Sequence, residues 1–378
     1  MPTQDQLQQH LDRLAAYDSD GTPVVSVYLD ARADQHGRDR YDVFLRKAFK
    51  ERMRSYEADA AARASLEGDL EQITRYLERD LEPSTNAVAL FSASSKGLFE
   101  AMQLGAGLDE HWLSIDTQPQ LYPLARLGSQ YPRYAAVLAD TAATRIFVFA
   151  TGELVDTQEV KGEKTRGRSM GGWSQNRYQR RVDNAHAAQV REAVEVLDRV
   201  VKRENIDAIV LAGDDSVLPI FRQELPKHLA ERIVEDMHLP ALAAAHEVME
   251  ATREAMARHN EETDRQKVEM AVAAHRSNGL AALGIEETMA ALEQGQVDEL
   301  LIAASLRDIN PRDGAGEADG AEATVERGGA RIEANGSARV ADTLVTKAQQ
   351  TSAKITFIED GSQLAPFGGA AALLRFKL

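Results

Sequence analysis

Residues 161–181 read KGEKTRGRSMGGWSQNRYQRR. Lys161, Lys164, Arg166, Arg168, Arg177, Arg180 and Arg181 face a single acid, Glu163, inside a chain of formal net charge −16. Cations this close repel one another, and glycines at 162, 167, 171 and 172 leave the backbone free, so the stretch predicts a mobile loop suited to a polyanion. Taken alone, the same composition also fits a solvated surface loop. Its surroundings decide between them. Directly after it, Val190, Ala193, Val194, Leu197 and Val201 recur at the spacing of an amphipathic helix. Before it, Tyr134 to Ala139, Arg145 to Phe149 and Glu153 to Glu159 read as a β-meander, turned at Asp140 to Thr144. Beyond the helix, DAIVLA at 207–212 is a short apolar run of the kind buried in a sheet, ending at Gly213-Asp214-Asp215. A helix at 216–225 and a strand at 232–236 follow. Strands first, then strand–helix alternation, predict a mixed sheet with helices packed on it, and the basic loop lies at its middle.

The flanks read as separate domains. On the N-terminal side, a helix at 4–16 (Leu7, Leu11, Leu14) precedes a strand at 24–29 and a polar loop with Arg32, Arg38 and Arg40. Two charged helices fill 41–80, with Ser65 as N-cap of the second. A hairpin joins 86–91 to 98–104 through Lys96-Gly97. Pro119, Pro123 and Pro132 then mark a crossing out of this α+β domain. On the C-terminal side, a long charged helix over 241–275 bridges two domains. It leads to strands at 279–282, 297–303, 354–358 and 373–376 with helices at 286–294 and 340–351, an α/β domain. Residues 311–340 are rich in Gly, Ala and charge with almost no large apolar side chains, and are expected to form a flexible insertion. The expected domains are 1–131, 132–265 and 266–378.

Composition narrows the chemistry. The 378 residues hold 43% hydrophobic residues, enough for two or three real cores. The absence of cysteine excludes disulfides, thiolate metal sites and a cysteine nucleophile. A polar start, MPTQDQLQQHLDRL, and no long apolar run lead to the expectation of a soluble, cytoplasmic protein without a membrane contact. An acidic balance of 60 Asp+Glu against 44 Lys+Arg repels phosphate over most of the surface, so any RNA contact is local. The histidines form no HExxH-type pair, and neither a G-x-S-x-G elbow nor a nucleotide-binding glycine motif occurs, so neither metal nor cofactor is expected.

GGWSQ in a basic loop before a long helix, DAIVLAG at 207–213, IEETMAALEQGQVDELLI at 285–302 and EDGSQLAPFGGAAALLRF at 359–376 occur in that order. Order and spacing resemble the archaeal and eukaryotic class I peptide-chain release factors and their bacterial relatives, peptidyl-tRNA hydrolases of ribosome quality control among the superfamily. The resemblance covers about 134–378 well and the first domain in outline. It implies a ribonuclease-H-like middle domain and a ribosomal-protein-like C-terminal α/β domain. It implies as partners the ribosome, at its A site and peptidyl-transferase centre, and peptidyl-tRNA, with a GTPase of the elongation-factor type for delivery. It assigns catalysis to Gly171, Gly172 and Gln175. Paired glycines let backbone N–H groups approach RNA, and a glutamine amide can hold a water in line. Lys164, Arg166, Arg168, Arg177, Arg180 and Arg181 would then bind phosphates. Trp173 either stacks on a base or caps an apolar patch of its own domain, and Tyr178 carries the same two options.

The chain departs from the family in two places. Trp173 and Ser174 stand between the glycines and Gln175, where release factors have Gly-Gly-Gln directly. Either the loop is two residues longer with Gln175 at its tip, or Ser174-Gln175 is the working pair. The stop-codon reader's Asn-Ile-Lys-Ser segment and cysteine motif are absent, which speaks against codon-specific termination. Three functions follow: a peptidyl-tRNA hydrolase acting on stalled ribosomes, a non-catalytic hibernation factor occluding the A site, or a nuclease whose Asp140 and Asp214 or Asp215 share Mg²⁺. Against the last, Asp215 stands where a helix N-cap is needed. Gly361 and Gly368-Gly369 read as turn and close-packing glycines, not phosphate binders.

Overall fold

A computed structural model describes residues 4–32, 41–55, 60–108, 110–130, 132–150, 152–161, 175–310, 322–327 and 330–377; for 4–5, 55, 175–186, 322–327 and 330–335 only the backbone is described. The chain forms two compact units, one of 131–260 and one that joins 1–130 to 261–378. The expected first and third domains thus share a unit that holds two sheets.

The N-terminal segment runs α1 (Gln4–Ala15), β1 (Val24–Asp30), α2 (Tyr41–Ser55), α3 (Ala60–Arg79), β2 (Ala87–Ala93), β3 (Leu98–Leu104), β4 (His111–Asp116) and α4 (Tyr122–Gln130). Strand β1 is central, antiparallel to both β2 and β4. Its alternate residues Val25, Val27 and Leu29 meet Phe44, Leu45 and Phe49 of α2 and Leu66 and Ile73 of α3, the period-2 and period-3.6 faces closing on each other. Gly97 turns the hairpin at φ 72°, as its sequence position implied. Ser65 is not an N-cap. It lies buried within α3, where its hydroxyl faces that of Ser94. The proline-marked crossing is itself the helix α4, with Pro123 in its first turn, where a missing N–H costs nothing.

The middle segment runs β5 (Tyr134–Ala139), β6 (Ala143–Ala150), β7 (Glu153–Lys161), α5 (Gln175–Glu204), β8 (Ala208–Gly213), α6 (Leu218–Glu224), α7 (Lys227–Ala230) and β9 (Ile233–His238), then enters α8 (Ala245–Arg276). The sheet order is β7-β6-β5-β8-β9. Its first three strands are antiparallel and β5, β8 and β9 parallel, the meander-then-alternation pattern of the sequence. Fully apolar β5 and β8 are buried on both faces, as central strands under two helical layers must be. The first half of α8 belongs to this unit and the second half to the other.

The C-terminal segment adds β10 (Ala281–Leu283), α9 (Ile285–Glu293), β11 (Val297–Ala303), β12 (Glu322–Arg327), β13 (Ala330–Asn335), α10 (Ser337–Gln350), β14 (Lys354–Ile358) and β15 (Ala370–Leu374). Its sheet is ordered β10-β15-β11-β14. The last strand begins three residues earlier than expected, because the turn ends at Gly369. Gly369 has φ 91°, and a Cβ there would lie 2.4 Å from the Asp308 carbonyl. The insertion was expected to be unstructured. Residues 311–321 and 328–329 lie outside the described residues, but β12 and β13 form a hairpin, and β12 pairs with β4 to extend the N-terminal sheet to β13-β12-β4-β1-β2-β3. The reason is borrowed order: strand pairing against a preformed edge supplies hydrogen bonds that the segment's own composition cannot replace with a core.

One residue of α10 went unnoticed in the sequence. Asp342 is fully buried and accepts from the backbone N–H groups of Leu121 and Tyr122 (3.1 Å for Tyr122), capping the start of α4. Burial pushes its carboxyl up to about 7 despite those two bonds.

Candidate RNA-facing site

Helix α5 organises the site. It has 30 residues, which at 1.5 Å per residue is about 45 Å of helix. Its C-terminal half is fixed. Val190, Ala193, Val194, Leu197, Val200 and Val201 pack on Ala135, Val137, Val148 and Leu211 of the sheet. Three of the four Lys and Arg side chains of that half are engaged within the same unit. Arg191 makes a two-pronged pair with Glu224 (2.9 and 3.0 Å), and Lys202 meets Asp198 at 2.5 Å. Arg203 binds both Asp156 and Glu204. Hydrogen bonds from Lys202 and His228 hold Asp198 below the usual carboxylate range.

The N-terminal half is built differently. The helix opens at Gln175, and the first side chains of the described part to be buried are those of Gln189 and Val190. That interval is about 21 Å of helix axis. Arg177, Arg180 and Arg181 fall at i, i+3 and i+4 in it, on neighbouring positions of one face. The first turn carries no acid, so nothing in the sequence there offsets the partial positive charge of the helix N-terminus, and cations add to it. The arrangement favours an anion. Gly171, Gly172, Trp173, Lys164, Arg166 and Arg168 lie outside the described residues, so of the expected site the backbone brings together Gln175, Arg177, Arg180 and Arg181. Tyr178 lies on the same two turns.

The competing sites are otherwise engaged. Asp140 Oδ1 accepts from the N–H groups of Ala142 and Ala143 (2.8 Å for Ala143), closing the β5–β6 turn. Asp214, not Asp215, does the turn-capping before α6. Its Oδ1 accepts from the Ser216 N–H at 2.8 Å and the Ser216 hydroxyl at 2.7 Å, and those bonds lower its pKa. Asp215 stands 3.9 Å from His238. Among the described residues no group of three or more His, Asp or Glu side chains is arranged to hold a metal ion. Gly213 is required for close approach. At φ 145° a Cβ would lie 1.9 Å from the Ala139 carbonyl.

Arg32 is also committed. It forks onto Asp30 (2.8 and 3.0 Å) and donates to the Leu108 carbonyl at 2.9 Å; Arg38 and Arg40 lie outside the described residues. The EDGSQLAPFGG block is packing chemistry. A Cβ on Gly361 would meet Asp308 Oδ2 at 2.1 Å, and Asp360 Oδ1 holds the turn through the Ser362 N–H (3.1 Å) and hydroxyl (2.6 Å). No helix among the described residues is long and apolar enough to cross a membrane.

Comparison with known proteins gives two family matches. Residues 119–278 match the bacterial archaeo-eukaryotic release factor family 10, and residues 261–378 match eRF1 domain 3. No curated protein matches the chain. Among solved structures, the archaeal translation termination factor aRF1 is similar at 17% identity, covering 99% of each chain, with a TM-score of 0.27. Archaeal Pelota, from a model of Pelota and ABCE1 on the ribosome, is 13% identical, covering 100% of this chain and 95% of that one, with a TM-score of 0.43. Dom34 of Saccharomyces cerevisiae, a termination-like factor of RNA quality control that interacts with Hbs1, is 10% identical over 77% of this chain and 81% of its own, with a TM-score of 0.43.

Proposed function

We propose that this chain, which belongs to the bacterial branch of the archaeal and eukaryotic release-factor superfamily, enters the ribosomal A site and hydrolyses the peptidyl-tRNA ester of stalled or aberrant complexes. The observation that carries the reading is Gln175 at the first residue of a helix whose other end is set in the core of the middle unit. Such a helix is a rigid lever. It can hold a glutamine amide, with Gly171 and Gly172 just before it, far from the sheet and at a fixed distance from it.

The chemistry asks for little else. Water attacks the ester carbonyl, the bond from carbonyl carbon to the ribose 3′ oxygen breaks, and the proton passes to that oxygen as it leaves. The Gln175 amide accepts a hydrogen bond from the attacking water and orients it, while backbone N–H groups at the paired glycines stabilise the oxyanion. Lys164, Arg166, Arg168, Arg177, Arg180 and Arg181 bind phosphates of the tRNA end or of ribosomal RNA, and Trp173 stacks on a base. In this reading 132–265 carries the chemistry, and 266–378 binds a translational GTPase of the elongation-factor type.

A second reading rests on Trp173 and Ser174, which separate the glycines from Gln175. It makes the protein an occlusion factor that fills the A site without hydrolysis. One experiment separates the two: purified protein is mixed with peptidyl-tRNA, alone and on ribosomes with an empty A site. Release on ribosomes is the expected outcome. Tight ribosome binding with no release from any peptidyl-tRNA overturns the hydrolase and leaves the occluder.

A further inference from the structure

We propose that the hairpin β12–β13 is a reversible strap on the N-terminal sheet, which closes the β4 edge when docked and bares it when it opens. This goes beyond the reading of 161–181 and does not depend on it. Without the hairpin the sheet would end at β4, whose Trp112, Leu113, Ser114 and Ile115 are buried. An apolar edge of that kind invites pairing with other chains and is normally covered. The cover comes from the far end of the sequence. Residues 322–335 lie in the stretch that matches eRF1 domain 3, yet they pair with a strand some two hundred positions earlier.

The hold is narrow. Strand β12 meets β4 through four aligned positions, Ala323↔Ser114, Thr324↔Leu113, Val325↔Trp112 and Glu326↔His111, whereas β1 and β2 share six. The hairpin brings only two large apolar residues, Val325 and Ile332. They are cross-strand partners, so Trp112, Val325 and Ile332 form one row across three strands. All else in EATVER and ARIEAN is alanine, polar or charged. A two-stranded hairpin is marginal by itself. Its backbone order here comes from β4, with α2 and α10 lying against it as well, while β4 keeps β1 on its other side. Undocking therefore ends the order of the hairpin and leaves the rest of the sheet paired. Such an element opens locally, well below the cost of unfolding the unit.

The absence of cysteine makes the test clean. Directly opposed positions of an antiparallel pair have Cα atoms about 4.5–5.5 Å apart, within disulfide reach. In the full-length protein, Ser114→Cys with Ala323→Cys should oxidise to an intrachain disulfide. Hydrogen exchange of the unmodified protein should show peptides of β12 exchanging about 100-fold or more faster than those of β1 and β2, yet slower than an unprotected chain. Oxidation should slow the β12 peptides at least about tenfold and reduction restore them, with β1 and β2 unchanged. Val325→Asp should speed exchange in β4 and β12 while sparing β1–β2, so the inference does not hang on the cysteine pair. Exchange of β12 as slow as that of β1 overturns it, because the hairpin is then permanent structure. Exchange of β12 at unprotected rates, or no effect of Val325→Asp on β4, also overturns it, because the hairpin is then not docked.

Discussion

The two units put their charges in opposite places. The unit of 1–130 and 261–378 buries carboxylates: Asp69, Asp264 and Asp342 are all inside it. Asp69 accepts from the Ser92 hydroxyl (2.7 Å) and the Ser94 N–H (2.6 Å), Asp342 caps α4, and burial raises all three carboxyls, Asp264 to about 6. Among the described residues of the middle unit the only buried polar side chains are Thr144, Gln189 and Thr252, none of them charged. Many of its ions are paired at the surface, as Arg191 with Glu224 and Arg222 with Asp236, and its cations are densest in 161–181. One unit spends acidic groups on its own interior joints. The other keeps its interior neutral and, in the proposed reading, offers the cations of 161–181 to an outside partner. The former is therefore expected to respond to pH, and the latter's partner binding to salt.

The largest effect sharpens the outward-facing side of this contrast. Gln175→Ala should slow peptide release by about 10²-fold or more, the scale for losing one positioned polar group, and leave ribosome affinity and unfolding of the middle unit unchanged, since the described core contacts of α5 begin at Gln189. Single-turnover release beside a filter-binding affinity measures both. Equal release by variant and parent would remove Gln175 from the chemistry.

A smaller effect tests the inward-facing side. The folded-state pKa of Asp342, about 7, lies above the value near 4 of an unfolded aspartate. The folded state thus holds the proton more tightly, and this stabilisation is complete below about pH 4 and lost as pH rises through about 7. From pH 5 to pH 8 the unit containing Asp342 should lose on the order of 2 kcal/mol. Asp342→Asn keeps an oxygen to accept from Leu121 and Tyr122 and should flatten that loss, with Asp264 supplying a residual slope. Urea unfolding at both pH values, read by peptide-resolved hydrogen exchange, should show the middle unit's transition indifferent to the change. If both units shift together, the contrast between their interiors is wrong.

Legibility in the sequence followed how local the cause was. The β5–β7 meander, the apolar face of α5, and β11 and β14 are set by periodicity within a dozen residues, and their expected places agree with the structure to within a few residues. The packing role of Gly361 and Gly369 was legible too, although the neighbour that enforces it, Asp308, was not. What was missed depends on distant partners. Residues 322–335 look unstructured until β4 is there to pair with them. Ser65 looks like a cap until the helix is seen to start earlier and bury it. Asp342 looks like one more acid on a charged helix until α4 arrives with two free N–H groups. For the candidate site, the sequence pattern marked the helix but not its start. Gln175, Arg177, Arg180 and Arg181 were expected in a loop reaching 181, whereas α5 already begins at Gln175. The apolar periodicity that marks the helix begins only at Val190, where it meets the core.

The smallest effect compares two arginines of the same helix. Arg177 stands two residues into α5, about 18 Å ahead of the first core contacts. Arg191 stands past that point, with Glu224 on both prongs of its guanidinium. If the N-terminal half meets RNA and the C-terminal half serves its own unit, Arg177→Ala should reduce the salt dependence of ribosome binding by about 0.7 in the slope of log affinity against log salt, one phosphate contact on single-stranded RNA. Arg191→Ala should leave the slope where it was, because its charge is already matched within the unit. Affinities measured at several potassium concentrations give both slopes. Equal slopes for the two variants would mean that the halves of α5 do not divide their charge in this way. A change for Arg191→Ala alone would move the RNA contact off the helix start and onto the body of the middle unit.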